Sequence, residues 1–272
     1  MHMTELVFLK LGGSLITDKT RPYTVRIDIL KTLAEEVRSA LSSTPSLRLV
    51  LGHGSGSFGH YAVKEHLPSS VFPLPLGREN GAEAFAEVWY RASQLNRYVI
   101  EALHEARIPC MAIQPSACIV SRSGAIETWD ISPIESALNA GIVPVIYGDM
   151  VFDSVKGGAV LSTETLMFYL AHRLKPKRIL LAGIEAAVWS DFPARRQKVG
   201  TITPSSYKEL VGKVGGSHGV DVTGGMKSKV EEMVTLVEQI PGLNVQIFSG
   251  EEHGNVERAL NGVVLGTLIK SD

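Results

Sequence analysis

The stretch that most constrains the fold of this chain is residues 47–60, an apolar run followed by a loop rich in glycine. The run Leu-Arg-Leu-Val-Leu is broken only by Arg48 and is typical of a buried parallel strand. Four glycines then follow within eight positions: Gly52, Gly54, Gly56 and Gly59. Such a loop can turn sharply and expose successive N–H groups ahead of a helix. It therefore predicts an anion site, above all for phosphate.

His60 closes this stretch, at the position where we expect the next helix to begin. Its imidazole can donate a hydrogen bond to a bound oxyanion, and its charge can change near neutral pH. The glycines also spell the G-x-G-x-x-G of a dinucleotide-binding turn, with Glu79 about twenty residues on, where that motif places an acid. A glycine turn without a ligand is the third interpretation. The rest of the chain decides among the three.

Strand and helix patterns alternate along the chain. Apolar runs predict further strands at 5–11, 108–113, 142–147, 178–182, 245–248 and 267–269. Apolar residues at helical spacing predict helices at 26–42, 60–66, 79–106, 162–174 and 226–239. Short hairpins are expected at 119–126 and 151–161. This alternation is typical of an α/β fold, a three-layer αβα sandwich around an open, mostly parallel central sheet.

Two helix starts carry the Ser-x-x-Glu pattern of a capping box, in which serine and glutamate each bond the other's backbone N–H. They are Ser132 with Glu135 and Ser206 with Glu209. Residues 212–225 are rich in glycine, and we expect this segment to be mobile.

Composition and charge exclude several classes of protein. A formal net charge of −1 over 272 residues, without a basic run, argues against a nucleic-acid partner. No apolar run reaches the roughly eighteen residues of a membrane span and no signal peptide is recognisable, so we expect a cytoplasmic protein without a membrane partner. Cys110 and Cys118 have neither a CxxC nor a metal-binding spacing and are expected to be small buried hydrophobic residues.

Lys10 is conspicuous because it stands inside the first predicted strand, just before Gly12, Gly13 and Ser14. A lysine in a buried strand is costly unless it meets an anion. The two glycines let the backbone wrap a phosphate, and Lys10 can point at the same charge. A lysine that lies at a strand end by chance is the alternative. Lys19, a few residues on, would by itself be an ordinary surface lysine.

A second basic group, Gly-Gly-Met-Lys-Ser-Lys at 224–229, stands at the start of the last long helix. Positive charges in a first helical turn oppose the helix dipole, so a bound anion is expected beside them. Met226 occupies the position where a P-loop requires glycine, so this is not a Walker motif. A pair of solvated lysines is the alternative.

Glycine turns at strand ends thus bring Lys10, His60 and Lys229 towards one sheet edge, together with the acids Asp149 and Glu164. Ligands of open α/β sheets bind beyond the carboxyl ends of the strands. Several phosphate-type loops on that edge favour phosphoryl transfer over hydride transfer, because a dinucleotide enzyme needs one such loop and no lysines.

Longer motifs in the same order carry a resemblance to a known family. They are Lys-Leu-Gly-Gly-Ser-Leu-Ile-Thr-Asp-Lys at 10–19, Gly-Ser-Phe-Gly-His at 56–60, Ala-Ile-Gln-Pro-Ser-Ala at 112–117, Val-Pro-Val-Ile-Tyr-Gly-Asp at 143–149, Asp-Val-Thr-Gly-Gly-Met at 221–226 and Gly-Thr-Leu-Ile at 266–269. With these, nearly the whole chain resembles the isopentenyl phosphate kinases of the amino-acid kinase superfamily. The pairing of Lys19 with His60 is the most specific part.

The resemblance implies a single amino-acid kinase domain over 1–272, with a phosphate-acceptor lobe over about 1–150 and a nucleotide-binding lobe over about 151–272. It implies ATP and Mg²⁺ as cofactors, isopentenyl phosphate as the acceptor and a homodimer as the assembly. No residue is assigned as a metal ligand.

Family roles carry over residue by residue. Lys10 and Lys229 would bind phosphates and neutralise the transferring group, and Lys19 would contact both phosphoryl groups. His60 would hold the acceptor phosphate. The rest of the acceptor site would be Ser55, Gly56, Gly148 and Asp149. The rest of the nucleotide site would be Gly12, Gly13, Ser14, Gly56, Glu164 and Gly225.

The sequence departs from the family at three places. Glu164 stands in Ser-Thr-Glu-Thr where the family has Ser-Gly-Asp-Asp, so its carboxylate reaches one methylene further. The family's Thr-Asp-x-Asp-Gly-Val-Tyr loop is replaced at 182–189, where Trp189 could stack on a base, and Ser55 replaces a glycine. Two rivals therefore stay open: a fosfomycin-kinase-like enzyme for another small phosphate or phosphonate, and a nucleotide-binding homologue with weakened catalysis.

The hydrocarbon tail of such an acceptor needs an apolar pocket beside His60. Phe85, Val88 and Trp89 share one face of the long predicted helix, and Ile146 ends a neighbouring strand, so these four are candidates to line it. A stripe of core residues is the alternative.

Overall fold

The computed structural model describes residues 5–67, 81–214 and 224–272, which form ten helices and fourteen strands. The helices are α1 (Gly13–Ile16), α2 (Ile27–Ser43), α3 (Gly56–His66), α4 (Gly81–Glu105), α5 (Pro115–Cys118), α6 (Ser132–Asn139), α7 (Thr163–Leu174), α8 (Pro204–Val214), α9 (Gly224–Gln239) and α10 (Asn255–Leu260). The strands are β1 (Glu5–Leu11), β2 (Leu47–His53), β3 (Cys110–Ala112), β4 (Ile119–Arg122), β5 (Ala125–Trp129), β6 (Val143–Tyr147), β7 (Asp149–Asp153), β8 (Gly157–Leu161), β9 (Arg178–Gly183), β10 (Val188–Trp189), β11 (Lys198–Val199), β12 (Thr201–Ile202), β13 (Asn244–Ser249) and β14 (Thr267–Lys270).

The central sheet has eight strands in the order β12-β14-β13-β9-β1-β2-β6-β3. Its neighbours run parallel except for β13 with β14. Strand β1 lies between β9 and β2, so Lys10 stands opposite Leu181 on one side and Gly52 on the other. Strands β1, β2, β6 and β3 form one half of the sheet, and the later part of the chain forms the other half. The predicted open, mostly parallel sheet is confirmed.

Helices cover both faces of this sheet and complete the three layers. On one face α2, α4 and α10 pack on the strands through buried residues such as Leu33, Leu95 and Val256. On the other face α7 and α9 do the same through Leu170 and Met233. Strands buried on both faces consist of continuous apolar runs, and this pattern made β1 and β2 recognisable. The polar side chains that could take part in chemistry therefore lie at the edge where the strands end.

A smaller sheet of four strands, in the order β5-β4-β7-β8, contains the two predicted hairpins. The buried Asp153 carboxylate ties the hairpins together. It accepts a hydrogen bond from Ser121 Oγ at 2.7 Å and others from the amides of Gly124 and Lys156 at 2.7 and 2.8 Å. One side chain therefore satisfies donors from both turns.

Neither predicted capping box forms. Helix α6 begins at Ser132 itself, and the backbone N–H of Ser132 donates to the Asp130 carboxylate at 3.0 Å. Helix α8 begins two residues before Ser206, and the Thr203 N–H donates to Ser206 Oγ at 2.8 Å in the place expected for Glu209. In both cases a polar residue upstream of the predicted serine caps the helix start. Asp130 does so for α6, and Thr203 does so for α8, where its Oγ1 accepts a hydrogen bond from the Ser206 amide at 3.3 Å.

One more expectation needs correction, and the expected mobility of residues 212–225 stays a prediction. Cys110 and Cys118 are half-buried rather than buried, and burial raises the pKa of the Cys118 thiol to about 11. Of the glycine-rich segment, residues 212–214 belong to α8 and 224–225 to α9, while 215–223 lie outside the described residues, as do residues 79 and 80 of the predicted long helix. Within the described ranges, no helix combines the length and apolarity needed to cross a membrane.

Candidate active site

The carboxyl ends of four parallel strands open into one cavity of about 450 Å³. Strands β1, β2, β6 and β9 end at or just before a glycine that lines it: Gly12, Gly54, Gly148 and Gly183. This is the edge at which open α/β sheets bind ligands. All four side chains predicted to be catalytic line the same cavity: Lys10, Lys19, His60 and Lys229.

Two glycine loops pack backbone against backbone in the wall of this cavity. A Cβ on Gly13 would collide with the amide nitrogen of Gly56, and a Cβ on Gly54 would lie 2.8 Å from the amide nitrogen of Gly13. Gly56 has a φ of +49°, which glycine adopts without strain, and a Cβ there would collide with Thr17 Oγ1. The loops after β1 and β2 can share one wall only because these positions lack side chains.

Helix α3 begins at Gly56, earlier than predicted, so His60 lies in its second turn rather than at its start. The side chain of His60 is exposed to the cavity mouth. Partial burial and the positive charge of Lys19 lower the pKa of His60 below its ordinary value. At neutral pH the imidazole is therefore neutral and offers one N–H donor.

Lys19 lies in the loop that follows α1, and its neighbours hold that loop in place. The Asp18 carboxylate accepts hydrogen bonds from the Thr20 amide and from Arg21 Nε, both at 2.9 Å. The Tyr61 hydroxyl of α3 donates to the Lys19 carbonyl at 3.4 Å. Lys19 and His60 therefore approach the cavity from two elements that contact each other.

Lys10 and Lys229 are held around one carboxylate. Lys10 Nζ donates to Glu164 Oε1 at 2.7 Å, and Lys229 Nζ lies 3.7 Å from the same oxygen. Burial disfavours a charged Glu164, but the two lysines outweigh it and lower the pKa of the carboxyl group. Burial and the charge of Lys10 lower the pKa of Lys229. Together with Lys19, the cluster carries a net positive charge where a phosphate could bind.

The start of α7 places Glu164. Ser162 Oγ accepts a hydrogen bond from the Thr165 amide at 3.0 Å and so caps the helix. Thr163 Oγ1 donates to the His53 carbonyl at 2.6 Å, which fastens this helix start to the end of β2. Glu164 is thus carried between β1 and α9 by a fixed helical turn.

The other predicted site residues differ in whether they line the cavity. Those that line the cavity are Gly12, Gly13, Ser14, Ser55, Gly56, Gly148 and Glu164. Asp149 is 1% exposed, and its carboxylate accepts hydrogen bonds from the Ser116 and Met150 amides at 3.1 and 2.9 Å. Burial raises the pKa of Asp149 to about 6, against the effect of these amides. Gly225 lies in the first turn of α9, before Lys229.

Sequence reasoning missed Glu185, which lines the cavity. Its carboxylate accepts from Trp189 Nε1 at 2.9 Å and pairs with Arg195 at 2.7 Å. Trp189 is only 8% exposed and Lys198 Nζ lies 5.7 Å from its ring centroid, so little of the ring is free to stack on a base. The available signal was an acid only two residues after Gly183, the glycine that ends β9.

An apolar cluster lies beside α3. Val88 is buried there with Ala62, Leu67, Ala84 and Met150, and Phe85 and Trp89 are partly buried against them. Ile146 was wrongly grouped with this set, since it is fully buried in the core between the central sheet and α7. A strand buried on both faces gives no sequence signal of which face a residue occupies.

The fold and the cavity together define a kinase of the amino-acid kinase type. Residues 5–249 match the model of the Amino acid kinase family. The chain belongs to that family.

Within the family the chain groups with the isopentenyl phosphate kinases. It is 32% identical over 272 residues to the isopentenyl phosphate kinase of Methanocaldococcus jannaschii and 35% identical over 271 residues to that of Methanothermobacter thermautotrophicus. Each comparison covers 97% of this chain and 98% of the relative.

Solved structures agree with this grouping. A crystal structure of an isopentenyl phosphate kinase superposes with a TM-score of 0.77 at 32% identity, over 97% of this chain and 100% of the other. The product complex of the Thermoplasma acidophilum isopentenyl phosphate kinase superposes with a TM-score of 0.76 at 23% identity, over 97% and 100%, and shows the shared fold.

Proposed function

We propose that this chain transfers the γ-phosphoryl group of ATP to isopentenyl phosphate and forms isopentenyl diphosphate. The observation that carries the proposal is the meeting of Lys10, Lys19, Lys229 and His60 in one cavity walled by glycine loops. Two anions must be brought within bonding reach for this reaction, and such a cluster offsets their repulsion. The names of the relatives, matched over nearly their full length, support the choice of acceptor.

The carboxylates of the cavity favour an acceptor that is already a phosphate. A phosphate monoester has a second pKa near 6 and is largely dianionic at neutral pH, so its attack needs no general base. Among the cavity-lining residues that the structure describes, the acids are Glu164 and Glu185, and each is engaged by cationic side chains. A kinase for an alcohol would want a free base beside the nucleophile.

The proposed roles follow from position. Lys10 and Lys229, with the backbone of Gly12, Gly13, Ser14 and Gly225, hold the ATP phosphates, and Glu164 orients the two lysines. Lys19 neutralises the group in transfer. His60 and the amides of Ser55, Gly56 and Gly148 hold the acceptor phosphate. In this proposal residues of about 1–150 serve the acceptor and those of about 151–272 serve the nucleotide, and Asp149 supports the acceptor site through the backbone it binds.

We expect Mg²⁺ to accompany ATP. No group of three or more His, Cys, Asp or Glu side chains in the described ranges could hold a metal ion, so we assign no protein ligand to Mg²⁺. In this proposal the cavity lysines supply the positive charge that neutralises the phosphates. A homodimeric assembly is a further proposal, supported by the family resemblance alone. A cytoplasmic location is another, supported by the sequence pattern.

The proposal is tested with purified protein, Mg²⁺-ATP and three acceptors: isopentenyl phosphate, dimethylallyl phosphate and fosfomycin. Phosphorus NMR should show a diphosphate and ADP formed from isopentenyl phosphate. Lys10→Ala and His60→Ala should abolish or severely reduce this transfer. Absence of turnover on isopentenyl phosphate would contradict the proposal, and turnover on fosfomycin alone would favour the rival kinase. ATP binding in calorimetry without ADP formation on any acceptor would favour a nucleotide-binding homologue.

A further inference from the structure

His53, the last residue of β2, lies under the glycine loop and has no role in the chemistry above. It is 1% exposed, and its ring stacks on Tyr147 with 5.5 Å between centroids. Its Nδ1 lies 3.2 Å from the carbonyl oxygen of Gly54, and its Nε2 lies 3.1 Å from Nδ2 of the buried Asn96 of α4. Both ring nitrogens therefore have defined partners.

These contacts allow only one proton arrangement. Burial lowers the pKa of His53 to about 4, so the ring is neutral at neutral pH and has one donor and one acceptor nitrogen. The Gly54 carbonyl can only accept, so Nδ1 carries the proton. Nε2 must then accept a hydrogen bond from the Asn96 amide. Asn96 selects the tautomer that donates to Gly54.

The tautomer of His53 affects the direction in which the Ser55 N–H points. In a trans peptide the C=O and N–H bonds point in opposite directions. Anchoring the Gly54 carbonyl on the buried His53 ring therefore directs the Ser55 N–H to the opposite side of the loop, where Gly54, Ser55 and Gly56 line the cavity.

Other contacts hold the peptide between His53 and Gly54, so the next peptide, between Gly54 and Ser55, is oriented by His53. The Gly54 N–H donates to the Leu11 carbonyl at 2.9 Å, and Thr163 Oγ1 donates to the His53 carbonyl at 2.6 Å. Both hold the peptide that precedes Gly54. The plane of the following peptide, which carries the Ser55 N–H, is held by the hydrogen bond from His53.

We infer that His53 and Asn96 are positioning residues that aim the Ser55 amide at the acceptor phosphate. The identity of that phosphate rests on the proposed function, whereas the anion site itself rests on the loop geometry. Neither residue touches the substrate. Their effect should therefore fall on acceptor binding and leave the nucleotide side unchanged.

The experiment compares His53→Leu, Asn96→Leu and His53→Asn. Removal of the anchor should weaken one hydrogen bond to a charged group, so His53→Leu is expected to raise KM for isopentenyl phosphate about tenfold while KM for ATP stays within about twofold. Asn96→Leu leaves the tautomer unselected and should raise the acceptor KM by a smaller factor. His53→Asn puts a side-chain amide where Nδ1 stands and should largely preserve the acceptor KM.

Val99→Ala is the matched control, because Val99 is fully buried on the same helix as Asn96 and packs in the core. It should lower the melting temperature without raising the acceptor KM. Binding of inorganic phosphate, followed by phosphorus NMR, separates this inference from the choice of substrate. If the wild-type protein fails to turn over isopentenyl phosphate, His53→Leu should still weaken phosphate binding.

Unchanged acceptor KM and unchanged phosphate binding in His53→Leu would overturn the inference. An equal rise in acceptor KM for His53→Asn and His53→Leu would also overturn it, because the donor at the Nδ1 position would then not matter. If His53→Leu does not fold, the contrast of Asn96→Leu with His53→Asn and Val99→Ala decides the question. A loss of kcat and stability with KM unaltered is the pattern of a purely structural role.

Discussion

Glu164 is the carboxylate that holds two cavity lysines together, and Glu164→Gln removes its charge at constant size. The Nζ atoms of Lys10 and Lys229 lie 2.7 and 3.7 Å from Oε1. At an effective dielectric constant of about 20, these attractions are worth roughly 4–6 kcal/mol each before desolvation is subtracted. The Lys10 side chain is only 7% exposed, so water cannot replace the lost partner. Because breaking a buried pair costs about 3–5 kcal/mol, we expect Glu164→Gln to lower the free energy of unfolding by about 3 kcal/mol.

A bound phosphate would supply the negative charge that glutamine lacks. ATP should therefore stabilise Glu164→Gln more than it stabilises the wild type, since the phosphates neutralise both lysines in the variant. Urea unfolding followed by circular dichroism, with and without saturating Mg²⁺-ATP, measures both effects.

The matched control is Glu105→Gln. Glu105 pairs with Lys31 at 2.8 Å, but their side chains are 59% and 53% exposed. An exposed pair of this kind contributes little to stability, and its loss should not depend on ATP. The reasoning would be refuted if Glu164→Gln unfolded at the same urea concentration as the wild type, or if ATP stabilised the two proteins equally.

Three further predictions concern other parts of the site and fold. Gly56→Ala puts a Cβ on a residue with a φ of +49°, where it would collide with Thr17 Oγ1. Thermal unfolding should therefore show a free energy of unfolding lower by at least about 2 kcal/mol. Gly242→Ala, with a φ of +81° and open space around it, should lower it less. Burial raises the pKa of Asp153, but hydrogen bonds from backbone amides and a serine outweigh it and lower the pKa. Its stabilisation is thus present above the unfolded pKa of about 4 and lost as pH falls through the folded value. The free energy of unfolding of Asp153→Asn should therefore fall less at acid pH than that of the wild type. An equal fall in the two proteins would contradict this. Burial and a neighbouring lysine lower the pKa of Lys229, so kcat/KM for ATP should fall with rising pH at a lower pH than for an ordinary lysine. Lys229→Arg should shift this fall in kcat/KM to higher pH. A fall at the same pH in both proteins would show that Lys229 does not titrate there.

The sequence revealed the sheet and the cations because both depend on local pattern and simple topology. Continuous apolar runs marked β1 and β2 as strands buried on both faces. Parallel strands place their carboxyl ends on one edge, so the glycine turns and Lys10 could be expected to meet there. The charge of Lys10 was informative because it contrasts with that run.

Contacts between distant segments could not be predicted in the same way. The Asp149 carboxylate binds an amide that lies 33 residues away, and no local pattern indicates that Asp149 is buried and does not line the cavity. Lys10 and Glu164 are 154 residues apart, and the sequence placed both at one sheet edge without indicating that they pair. Gly56 was placed in a loop because glycine favours turns, yet with its left-handed φ it is the first residue of α3. Tertiary packing decided each of these cases.

The central claim is that one cavity brings two phosphates together for transfer. A crystal structure with isopentenyl phosphate and a non-hydrolysable ATP analogue tests it most directly. We predict the acceptor phosphate within hydrogen-bonding distance of His60 and the Ser55 amide, and the γ-phosphate against Lys10 and Lys229, with the two groups in line. Binding of the two ligands in separate places, or of the acceptor phosphate outside the glycine loops, would contradict the account.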